Sequence, residues 1–191
     1  NQSYFFNYAR NDNEQLLHRE YVSTADSSTL YNEAATSDSK NFNHRIDTRV
    51  QWTIDSSNSL IATPQMYFQD NRSSNRQFGE NLRGDGSPIS EALNSIHSNT
   101  SGYNISGRLV YRHKFDEPGR TISIDLGGGR NRRDGTGTQQ SFAAYFSSAV
   151  NQSDTVDQHS TLRTDGASIS SRLVYTEPIS MDNQLQLAYS P

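Results

Sequence analysis

Five histidines, a glycine triplet trailed by arginines and a ladder of alternating charges are the features of this 191-residue chain whose types and spacing bear on chemistry. His18, His44, His97, His113 and His159 are scattered, with no pair at the spacing that sets two imidazoles on one helix face. With no cysteine in the chain, thiolate ligands and disulfides are excluded as well. Gly127, Gly128 and Gly129 precede Arg130, Arg132 and Arg133. The Lys and the Ser or Thr of a phosphate-binding loop are missing, and no helix follows clearly to lend its N-terminus, so small residues at a strand rim are the better reading. Ser and Thr are plentiful, but none stands in a Gly-x-Ser-x-Gly elbow. The Arg83-Gly84-Asp85 tripeptide and the Asn-x-Ser triplets at Asn71 and Asn104 are short enough to arise by chance. The expectation is therefore no catalytic residue, no cofactor, no metal, and a protein that is not an enzyme.

The charges are more orderly. From Phe42 to Ile54, Phe42, Ile46, Val50, Trp52 and Ile54 share one parity with His44 and Thr48, while Asn43, Arg45, Asp47, Arg49, Gln51 and Thr53 share the other. Strict alternation marks a strand, because successive side chains point to opposite faces. This stretch exceeds the five or six residues typical of a globular strand and matches the roughly nine to eleven that cross a bilayer at a tilt.

The pattern recurs at Leu60 to Phe68, Tyr103 to Phe115, Ile122 to Leu126, Ile169 to Tyr175 and Leu185 to Tyr189. Across these segments Arg45, Asp47, Arg49, Arg108, Arg112, Lys114, Asp125 and Arg172 fall on the polar parity. They are the expected lumen-facing residues of a wall. Ser3 to Arg10 repeats the alternation, except that Phe5 interrupts it.

Composition fits such a wall. Hydrophobic residues are 31% and mean hydropathy is −0.86, too polar for a large two-sided core. Ten Tyr and eight Phe argue against disorder, which is poor in aromatics. A barrel reconciles the two, since its lumen and loops are polar and one face of each strand suffices for lipid. No apolar run reaches the length of a membrane helix and no signal peptide is visible. A net charge of −4 gives no electrostatic footprint for nucleic acid.

Short turn-rich connections at Asp55 to Ser59, Asp116 to Gly119 and Glu177 to Asn183 separate longer polar stretches at Asn11 to Asn41, Asn71 to Ser101 and Arg130 to Gly166. The expectation is short turns on one side of a membrane and long loops on the other. Within the long stretches, Ile89 to Ile96 is compatible with a short helical turn. Gln140 to Val150 suits an arm of a protruding hairpin, with helix as its competitor. Arg72, Arg76, Phe78 and Asn81 are expected loop contacts for a ligand. Trp52, Tyr111, Phe115 and Tyr175 near the short turns, with Phe68 and Tyr103 at the opposite strand ends, suggest two aromatic girdles.

The phrases "RIDTRVQWTIDSSNSLIATPQMYF", "GRLVYRHKFDEPGRTISIDLGGG" and "SRLVYTEPISMDNQLQLAYS" resemble the barrel region of gram-negative outer-membrane proteins related to TonB-dependent receptors. The resemblance covers roughly 42–191, with an echo at Tyr4 to Tyr8. It implies residence in the cell outer membrane, contact with its lipid, a plug domain and TonB system reached through further parts of the chain, and passage of a solute. The expected fold is all-β: an antiparallel up-and-down meander, a segment of a transmembrane β-barrel with long loops on one side. Residues 1–191 are read as one such segment, internal to a longer chain, clearest within 42–70, 102–130 and 167–191. The rival is a secreted or periplasmic β-sandwich binding glycan or protein, its apolar parity turned into a core.

Overall fold

A computed structural model describes residues 1–22, 28–147, 150–180 and 183–191. The parts of the expected connections at 23–27, 148–149 and 181–182 lie outside the described residues. Among the described residues nine strands form one sheet: β1 (Gln2–Tyr21), β2 (Thr29–Thr48), β3 (Val50–Thr53), β4 (Asn58–Ala62), β5 (Gln65–Arg83), β6 (Pro88–Lys114), β7 (Thr121–Tyr145), β8 (Gln152–Pro178) and β9 (Gln184–Tyr189). All pairings are antiparallel. β3 prolongs β2 and β4 leads into β5, so the wall is an up-and-down meander whose edge strands β1 and β9 do not meet.

The breaks within those two compound strands have a cause. Pro64 has no N–H to give to a ladder and is confined to such interruptions. Its carbonyl still accepts from the Thr48 amide at 3.0 Å, and Thr63 exchanges hydrogen bonds with Arg108, so the sheet continues across the gap.

Strand ladders carry the alternation across the whole width. Trp52 pairs with Leu60, Leu60 with Tyr111, Tyr111 with Ile124, Ile124 with Leu173 and Leu173 with Tyr189. This single row defines an apolar face, called here the Trp52 face. Eight residues further along β4–β5 and β6, a second row joins Phe6, His44, Phe68 and Tyr103. At ~3.4 Å per residue the two rows stand roughly 27 Å apart along the strands, close to the height of the apolar band of a membrane barrel. Rings touch within the upper girdle, Phe6 against His44 at 4.8 Å and Tyr8 against Phe42 at 4.7 Å, and in the lower one, Phe115 against Tyr175 at 6.3 Å.

Among the described residues nothing covers the apolar row of the Trp52 face. Ala144 is the only hydrophobic residue buried among the described residues, whereas Trp52 is 60% and Ile169 92% exposed. The sandwich expectation is thereby corrected: there is one sheet, not two, and its apolar parity forms no core.

The long loops are corrected too. Asn71 to Ser101 is an ordered hairpin of β5 and β6 turning at Gly84 to Ser87, and the stretches flanking the undescribed residues 23–27 and 148–149 are likewise the arms of β1–β2 and β7–β8. Strands of 27 residues in β6 and β8 far exceed what a bilayer needs. Ile89 to Ile96 is strand, not a helical turn, and the described part of Gln140 to Val150 continues β7 through Tyr145. What differs between the two ends of the wall is how far the hairpins overshoot.

The β5–β6 tip is set by local chemistry. Gly86 takes a φ of 84°, a left-handed conformation that glycine accepts freely. The Asp85 carboxylate accepts from the Ser87 hydroxyl at 2.7 Å and the Ser87 amide at 2.9 Å. The hydroxyl bond first, then the amide bond, holds the Asp85 pKa below the usual carboxylate value. Because the folded value is the lower one, this contribution is full above the ordinary carboxylate range and is lost as pH falls through the folded value. Ser87→Ala should move the Asp85 titration midpoint upward in a carboxyl NMR titration. An unchanged midpoint would mean that the tip is not held this way.

Candidate functional site

The face opposite Trp52, called here the Arg108 face, carries all eight expected lumen residues. Arg49, Arg108, Arg112, Asp125 and Arg172 line one open concavity of about 400 Å³ together with Ile61, Thr63 and Val110. Their convergence follows from the register. Asp125 lies directly opposite Arg172 across the β7–β8 ladder, and Arg108 reaches it diagonally from β6, with both Arg108 Nε contacts at 2.8 Å and a closer one from Nη2. Arg112 stands one step down the same face of β6, opposite Ser123. Arg49 enters from the β2–β3 junction, where its amide donates to the Asn1 carbonyl at 2.7 Å.

The remaining three lie outside this concavity. Arg45 and Asp47 pair with each other along β2 at 2.8 Å, higher on the wall. Lys114 sits at the turn end of β6, opposite Thr121.

Four guanidinium groups facing a single carboxylate make the concavity electropositive, although the whole chain is net negative. Arginine presents planar, paired donors suited to carboxylate or phosphate oxygens. The arrangement can hold an anionic group, on a solute or on a packed protein surface, without any bond being made or broken. Tripolyphosphate is the simple probe. Its binding should weaken as salt rises, strengthen in Asp125→Asn, and fall on the order of tenfold in Arg112→Gln or Arg172→Gln, as expected on losing a charged hydrogen bond. Calorimetry in detergent micelles reads this. Equal binding in all three variants would remove the site.

Arg72, Arg76, Phe78 and Asn81 are not gathered by the structure. They lie in strand β5, not in a loop. Alternation puts Arg72, Arg76 and Phe78 on the Trp52 side and Asn81 on the other. Arg72 is tied to Asp70 at 3.1 Å, and Asn81 donates to the Ser90 hydroxyl at 3.0 Å. Sequence reading missed a set on the Arg108 face instead: Asn43, Gln69, Asn71, Asn75, Gln77 and Asn94 in the hairpin arms. The alternation of Gln69, Asn71, Asn75 and Gln77 is the signal that could have revealed them.

No protein-family model matches the chain, and no curated protein matches it. Among solved structures it is similar to the siderophore receptor PiuA from Acinetobacter baumannii at 5% identity and a TM-score of 0.17, over 99% of this chain and 47% of that one. A second is the ferric-catecholate import receptor Fiu from E. coli K12, at 7% identity and a TM-score of 0.16, over 99% and 49%. The membrane pore complex of pneumolysin shows 11% identity and a TM-score of 0.16, over 95% and 33%. The chain thus spans a third to a half of the length of these chains, and the likeness is too slight to carry argument.

Proposed function

We propose that the chain is part of the wall of a gram-negative outer-membrane β-barrel of the TonB-dependent-receptor kind, acting in solute binding and passage and not in catalysis. The Trp52 face meets lipid and the Arg108 face looks into the lumen. The carrying observation is the exposed row from Trp52 to Tyr189, continuous over six neighbouring strands. In water such a row is a liability. In lipid it is the required surface, while the inter-strand ladders satisfy the backbone groups that hydrocarbon cannot.

On this reading the turns at Ile54 to Ser57 and Phe115 to Arg120 face the periplasm and the long hairpin arms stand outside the cell. The electropositive concavity lies toward the periplasmic half of the wall, where an anionic solute or the acidic surface of a plug domain meets it. A TonB system would act through such a plug.

Orientation is testable because the chain brings no cysteine background. With single cysteines at Ser87 and at Ser57 in the protein displayed by gram-negative cells, a membrane-impermeant maleimide should label the first and spare the second. Labelling of both positions would turn the wall into an exposed module and end the proposal.

A further inference from the structure

The two faces exchange character above the upper girdle. Within the membrane zone the Trp52 face is apolar except at Arg130, opposite Ile105, and the Arg108 face carries the other charges. In the arms the charges move to the Trp52 side: Arg10, Lys40 and Arg72 lie side by side on β1, β2 and β5, with Asp12 and Asp38 next along the strands and bonded to Arg10 at 3.0 and 3.1 Å.

The Arg108 side of the lower arms is almost free of charge, and Arg19, Glu33 and Asp154 appear on it only further out. Between the row of Asn7, Asn43 and Gln69 and the row of Gln15, Gln77 and Asn94, Arg133 is the one charged residue among the described residues of β1, β2 and β5 to β8. Amides, hydroxyls and glycines fill most of the rest, with Ala9, Ala35, Ile96, Val156 and Leu162 interspersed. Existing bonds use little of their capacity: Tyr67 donates to Asn43 at 2.7 Å, Gln69 to Asn41 at 3.2 Å and the Ser141 hydroxyl to Asn94 at 2.8 Å. Each side-chain amide holds two donors and two acceptor lone pairs, so most of that capacity faces outward from the sheet. Rings bound the field on the same face, Tyr67 and Phe5 below and Tyr145 above, at 38%, 60% and 56% exposure.

We infer that this amide-and-hydroxyl field, charged only at Arg133 and with aromatic rings at its lower and upper margins, is the outer binding surface for a neutral oligosaccharide. A sugar hydroxyl is donor and acceptor at once, as is an amide pair, and the apolar side of a sugar ring suits an exposed aromatic face. Apart from Arg133 at the lower margin, an ionic ligand would lose hydration here without finding a partner charge, which selects against it. Sorting the arm charges to the opposite side leaves this surface neutral for a ligand of matching neutrality.

The inference rests on the wall reading, which makes this face the funnel to the lumen. Its test is separable from that reading. The full chain, held in detergent micelles with its β circular dichroism intact, is applied to an oligosaccharide array bearing neutral, uronic-acid and sulfated members. Retention should be confined to neutral members. Asn75→Asp and Gln139→Glu, each nearly isosteric, should weaken the best neutral member at least tenfold, while Arg112→Gln in the lower concavity leaves it unchanged. Preference for anionic members, or no retention at all by protein whose Ser87 and Ser57 labelling shows the expected orientation, would overturn the inference and leave the wall standing. Failure of the labelling with neutral sugars still retained would instead strike the wall and keep the sugar site.

Discussion

Ile169→Arg is expected to destabilise folding into lipid by about 2 to 4 kcal/mol, the range for a cationic side chain at the midplane of a barrel's lipid face. Thr138→Arg, on the neighbouring strand and the same face, is expected to change stability by no more than about 0.5 kcal/mol, as at ordinary surface positions. Ile169 lies opposite Gly128, midway along β8 between the Leu173 row and the Tyr103 row. Thr138 sits between His97 and His159, in the arm. In water alone both are exposed positions of one sheet, and the two changes should be nearly equal. Only a bilayer makes them differ. Urea titration of folding into phospholipid vesicles measures the difference directly, and similar costs at both positions would mean that the band is misplaced or that lipid is not its partner.

Those same two positions explain how much of the fold could be read from sequence. Where one face is apolar and the other polar, alternation is a contrast that hydropathy reads, and Tyr103 to Phe115 or Ile169 to Tyr175 declare themselves as strands. In the arms both faces are mostly polar. There the alternation is between charged and uncharged polar residues, as in β5, where Asp70, Arg72 and Arg76 oppose Gln69, Asn71, Asn75 and Gln77. Hydropathy hardly separates Asn from Asp, so this periodicity is silent to the usual contrast and the arms read as loops. Phe5 illustrates the reverse difficulty. It breaks the alternation because it belongs to the Arg108 face, opposite Arg45, as one of the rings below the amide field.

The charged set was legible because Arg and Asp on one parity are conspicuous. Its clustering was not, since it depends on register: Asp125 meets Arg108 and Arg172 only through two ladders that no single segment encodes. Arg72, Arg76, Phe78 and Asn81 failed as a group for the same reason. Their types suited a ligand, but a strand distributes neighbours to opposite faces.

Gly102→Ala is expected to cost about 1 to 3 kcal/mol, the usual price of overpacking, although neither its φ nor any turn demands glycine. A Cβ built there would lie 2.6 Å from the Arg132 carbonyl oxygen and 3.2 Å from the Arg133 Cα. Both are backbone atoms of the neighbouring strand, so no side chain can swing aside, and the β6–β7 ladder has to part. Gly107, five residues along the same strand, meets only the Pro64 Cα at 3.8 Å. Gly107→Ala should therefore be tolerated or stabilise by about 0.4 to 1 kcal/mol, because alanine restricts the unfolded chain. Urea titration compares the two, and hydrogen exchange of the amides around Gly102 and Arg133 locates the damage. The consequence reaches beyond stability. Gly102 separates Gln69 from Arg133 on the Arg108 face, so a parted ladder there displaces the one cation at the margin of the neutral field while leaving the lower concavity in place. If both glycine variants behave alike, the strands do not approach so closely, and the tight seam between β6 and β7 is not what shapes this face.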